Sequence, residues 1–64
     1  MIDSQALKQE FQESAARHEA KAEALAKEGH AAGSETMKHN AYTQAQQELD
    51  IATTLDNCAN AIKP

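Results

Sequence analysis

Long stretches without glycine or proline constrain this chain more than any other feature. Residues 3–28 and 34–63 contain neither residue, and both glycines lie between them, in the segment KEGHAAGSE. Alanine, glutamate, lysine, glutamine and leucine are frequent in both stretches, and all of them favour helix. The pattern predicts two long helices joined by one bend.

Local sequence signals indicate where the first helix begins and where it ends. Asp3 is a good N-cap residue, and Gly29 follows the periodic segment where a left-handed C-cap is common. We therefore expect a first helix over about residues 4–28 and a turn over residues 29–34, with His30 as an exposed loop residue. The turn has neither the preceding strand nor the lysine of a phosphate-binding loop.

The second helix is expected to begin after Ser34, another good N-cap residue. It extends over about residues 35–62. Two helices of similar length joined by a short turn form an antiparallel hairpin. The sequence thus predicts an all-α fold in a single domain, residues 1–64, with the hairpin folded about residues 31–32.

One face of the first helix is apolar. Its residues recur at helical spacing and form a single stripe, which is typical of a helix that packs on one neighbour. The stripe consists of Leu7, Phe11, Ala15, His18, Ala22 and Leu25. A second group lies toward the opposite side and is interpreted as helix-forming residues exposed to solvent, with a secondary contact as the alternative: Ala6, Ala16, Ala20 and Ala24.

The second helix has apolar residues over more than half of its circumference, which one partner helix cannot cover. One set suits one neighbour: Tyr42, Ala45, Leu49 and Ala52. A second set suits another: Ile51, Leu55, Cys58 and Ile62. Self-association would cover the remaining apolar arc, either as a homodimer that forms a four-helix bundle or as a higher helical oligomer. The alternative is that a helix of another protein binds in the groove. The expected interface residues are Ile51, Leu55, Cys58, Ile62, Phe11 and Leu49.

Two polar residues fall within the apolar faces. Folding about residues 31–32 places Ala22 near Ala41 and Ala15 near Glu48, with His18 opposite Gln44, Ala45 and Glu48. Buried polar groups need hydrogen-bond partners, so a His18–Glu48 contact that fixes the helix register is the first interpretation. A ligand contact or a pH-sensitive joint is the alternative. The candidate ligand or register contacts are His18, Gln44, Glu48 and Tyr42.

The sequence has no pattern typical of a catalytic or metal site. His18 and Glu48 provide two ligands per chain, and the E-x-x-H and H-E-x-x-H patterns of helical metal sites are absent. Cys58 is the only cysteine and no histidine is expected beside it, so we interpret it as a small apolar residue. We expect a protein that is not an enzyme and holds no metal or cofactor.

Charge and composition indicate which cellular compartment and which classes of binding partner to expect. The net charge is −4, and basic residues alternate with glutamates instead of clustering as nucleic-acid binding requires. No signal peptide or membrane span is evident, and a single cysteine is compatible with a reducing compartment. We expect a soluble cytoplasmic protein without membrane or nucleic-acid partners.

Three functional hypotheses follow. The first is a small interaction or regulatory protein, an adaptor or a phage-type inhibitor, that acts through a homo-oligomeric helical bundle. The second is an oligomer that sequesters a small, nucleotide-like ligand. The third is an RNA- or DNA-binding helical bundle. In size and shape, the chain resembles the plasmid copy-number hairpin dimers that bind RNA loops, but its balanced acidic surface departs from what RNA binding needs.

Overall fold

The protein is a hairpin of two long helices. A computed structural model describes residues 3–63, in which α1 extends over Ser4–Ala31 and α2 over Glu35–Ala61, with no strand in this range. The two helices pack along each other, so the predicted all-α hairpin is confirmed. The Cα atoms extend over 51 × 14 × 13 Å, so the molecule is elongated, and the 28-residue α1 accounts for about 42 Å of its length.

Both predicted N-caps are present. The Asp3 carboxylate accepts hydrogen bonds from the backbone N–H groups of Gln5, at 3.0 Å, and Ala6, at 3.3 Å. Ser34 Oγ accepts a hydrogen bond from the backbone N–H of Met37 at 3.2 Å. Each side chain thus satisfies N–H groups that have no partner inside the helix.

The end of α1 differs from the prediction. The helix continues past Gly29 to Ala31, and its last bond joins the Ala32 N–H to the Gly29 carbonyl at 3.2 Å. No glycine has a positive φ, so Gly29 is not a left-handed C-cap, and the turn is shorter than residues 29–34. His30 is exposed, as expected, but it is helical. At the other end, α2 stops at Ala61 and Ile62 is its C-cap.

Close helix packing explains why Gly29 is helical. A Cβ atom at Gly29 would lie 2.9 Å from Tyr42 Cε1 and 3.1 Å from Ala41 Cβ. Gly29 is therefore buried against α2, and the chain turns only after this contact, at residues 32–34. The midpoint of the hairpin moves from residues 31–32 to Gly33, and Ala41 lies against Gly29 instead of the predicted Ala22.

The interior of the hairpin consists of small residues spaced seven apart. We call these six residues the seam; they are Ala15, Ala22 and Gly29 in α1 and Ala45, Ala52 and Ala59 in α2. A seven-residue repeat keeps one line of side chains facing the partner helix along the whole length, as in a coiled coil. The five alanines of the seam are at most 6% exposed, and none of the larger apolar side chains in residues 3–63 is fully buried.

Candidate interaction surfaces

The seam divides the outside of the hairpin into two faces. The seven-residue repeat determines on which side of the seam a side chain lies. Side chains three residues after a seam residue, or four residues before one, lie on one flank. Side chains four residues after a seam residue, or three residues before one, lie on the other flank. We call the first flank the front face; it contains Phe11, His18, Leu25, Glu48, Leu55 and Ile62. The second flank is the back face; it contains Gln12, Glu19, Ala26, Tyr42, Leu49 and Asp56.

Contacts between the helices show that both contribute to the same front face. His18 Nδ1 in α1 hydrogen-bonds Glu48 Oε2 in α2, and Phe11 and Leu55 line one surface depression together. On the back face, Ala26 of α1 and Tyr42 of α2 line a different depression. The two flanks are therefore separate surfaces of the hairpin.

The front face is most apolar in the half that contains the chain ends. Leu7, Phe11 and Leu55 line one depression, and Leu55 and Ile51 line the next. Leu7 is 36% exposed and Ile51 is 43% exposed, so neither side chain is covered within the hairpin. In this half, apolar side chains of both helices lie beside polar ones, because Glu10, Glu13, Ser14 and Arg17 line the same depression as Phe11 and Leu55.

His18 and Glu48 lie at mid-length, where this apolar half ends. Carboxylate oxygens only accept, so the His18 Nδ1–H is the donor to Glu48 Oε2. The side chain of His18 is 29% exposed and that of Glu48 is 19% exposed. The pair holds the two helices together at one level and remains open to a molecule that packs on the front face.

The back face has fewer large apolar side chains than the front face. Tyr42 is 45% exposed and Leu49 is 43% exposed. Beside Tyr42, the depression is lined by polar and charged residues of α1, including His30, Lys27 and Glu23, and Lys27 Nζ lies 3.8 Å from Glu23 Oε1. The back face therefore exposes two large apolar side chains, and charged residues of α1 lie beside Tyr42.

The predicted ligand set is not assembled within one chain. His18 and Glu48 are in contact on the front face, and Gln44 is exposed on the outer edge of that face. Tyr42 is on the back face beside Gly29, which is eleven residues from His18 in α1 and so about 16 Å along the helix. A ligand pocket containing all four side chains remains a prediction about an oligomer.

The predicted interface residues fall on both faces. Phe11, Leu55 and Ile62 are half-buried on the front face. Ile51 and Cys58 each precede a seam alanine and are exposed along the outer edge of this face, so the Cys58 thiol is not buried within the hairpin. Leu49 lies on the back face, apart from the other five.

Leu7 is an interface candidate that the sequence interpretation assigned to the contact with the second helix. The apolar stripe of α1 includes it because its spacing from Phe11 is helical. Its position relative to the seam contradicts that assignment. Leu7 lies eight residues before Ala15 and is therefore on the outer edge of the front face. The seven-residue spacing of Ala15, Ala22 and Gly29 was the signal that could have placed it.

The described residues contain no arrangement suited to a metal. Within residues 3–63 no three His, Cys, Asp or Glu side chains are grouped so that they could hold an ion. Over the same range, neither helix has a segment long and apolar enough to cross a lipid bilayer. The features that remain are the two faces.

Comparisons with known proteins give no match. None of the protein-family models, curated proteins or solved structures compared with this chain is significantly similar to it.

Proposed function

We propose that this chain is a small, non-enzymatic interaction protein that acts as a homo-oligomeric helical bundle. One observation supports the proposal: within residues 3–63, the fully buried residues are alanines and a glycine, and the larger apolar side chains are half-buried or exposed. Met37 is 61% exposed, and Leu49 and Ile51 are each 43% exposed. Alanines bury little apolar area, and small domains of this size need an additional source of stability.

Association is the source of stability that these residues favour. The only cysteine precludes an intrachain disulfide, and two ligands per chain do not make a structural metal site. Large apolar side chains that remain exposed together on one face of a small helical protein favour a protein–protein contact there. The proposed assembly is a bundle in which the front faces of the chains meet.

The biological role that fits such a bundle is that of an adaptor or inhibitor of another protein. The bundle would cover the front face and leave Tyr42 and Leu49 on the back face exposed to a partner. We place this activity in the cytoplasm, where a free thiol such as Cys58 stays reduced.

A charged residue in the front face tests the assembly. Ile51→Lys puts an ammonium group in the proposed contact, while Ala16→Lys makes the same kind of change at an exposed alanine on the other side of the hairpin. We expect sedimentation equilibrium to give an oligomer for the wild type and Ala16→Lys and a smaller mass for Ile51→Lys. Equal masses for all three proteins would contradict the role of the front face.

Affinity capture from cells that express the chain naturally tests the regulatory role. We expect at least one protein to be retained by the wild type and lost when Tyr42→Glu alters the back face, with Ala24→Glu as the matched control. Failure to retain any protein in a Tyr42-dependent manner would contradict the adaptor or inhibitor role while leaving the assembly untouched.

A further inference from the structure

We draw no further inference here: the strongest candidate, the front face of the hairpin with Phe11, Leu55 and the His18–Glu48 pair, carries nothing beyond the proposed function, because nothing in the structure shows what covers this face or in which orientation.

Discussion

Gly29 shows how one residue can be given the wrong role from local sequence. A glycine just after a periodic segment is typical of a left-handed C-cap, but here it allows two helices to approach each other. Its backbone remains helical because Ala41 and Tyr42 of α2 occupy the space where a side chain would be. A Cβ atom at Gly33 would meet no other atom within 4 Å, and Gly33 also lacks a positive φ, which makes it a matched control.

We predict opposite effects of alanine at the two glycines. Gly29→Ala gains about 0.5–1 kcal/mol of helix propensity, but its Cβ would lie 2.9 Å from the Tyr42 ring and 3.1 Å from Ala41, and such overpacking costs about 1–3 kcal/mol. We expect a net loss of about 1 kcal/mol. Gly33→Ala should be neutral or stabilise by about 0.4–1 kcal/mol. Urea unfolding at fixed protein concentration measures both, and a Gly29→Ala protein as stable as Gly33→Ala would contradict the close contact.

The His18–Glu48 contact leads to a second prediction at this scale. The two residues are thirty apart in sequence, so their coupling exists only when the helices are paired. In a double-mutant cycle with alanine at both sites, we expect a coupling energy of about 0.5–1.5 kcal/mol in the free energy of unfolding. Gln46 and Asp50, which form an exposed hydrogen bond within α2, are the control pair and should couple by about 0.2–0.5 kcal/mol. Equal coupling in the two cycles would mean that His18 and Glu48 do not join the helices.

At the scale of the helices, local sequence determines much of the structure. The stretches without glycine or proline and the caps at Asp3 and Ser34 were enough to predict both helices and their first residues. The end of α1 and the register were not predictable in this way, because they depend on the contact between Gly29 and α2. The seven-residue spacing of small residues was present in the sequence, and it becomes informative once Gly29 is counted as helical.

The seam predicts that the same substitution has very different effects at neighbouring positions of α1. Ala22 is 3% exposed between the helices, whereas Ala20 is exposed to solvent. Ala22→Leu must push the helices apart, and we expect it to destabilise the fold by about 1–3 kcal/mol. Ala20→Leu should change stability by no more than about 0.5 kcal/mol. Thermal unfolding of the two variants compares them directly, and similar melting temperatures would show that the seam is not closely packed.

At the scale of the whole molecule, the sequence predicted that the hairpin leaves apolar surface uncovered, and the predicted interface residues are divided between two faces. Ile51 and Cys58 are exposed on the outer edge of the front face. Leu49 is on the back face, because it lies four residues after Ala45 and not three. The face on which a residue lies depends on its position relative to the seam residues. The seam was not recognised from the sequence, because Gly29 was expected to end the first helix.

Sedimentation equilibrium of the wild-type chain tests most directly whether the hairpin associates with itself. At tens of micromolar, we expect a mass of about 13.8 kDa, twice the chain mass of 6.9 kDa, and a shift toward the monomer on dilution. A mass of 6.9 kDa at every concentration, with the helices intact by circular dichroism, would contradict the account, because the alanine seam alone would then be sufficient for the fold.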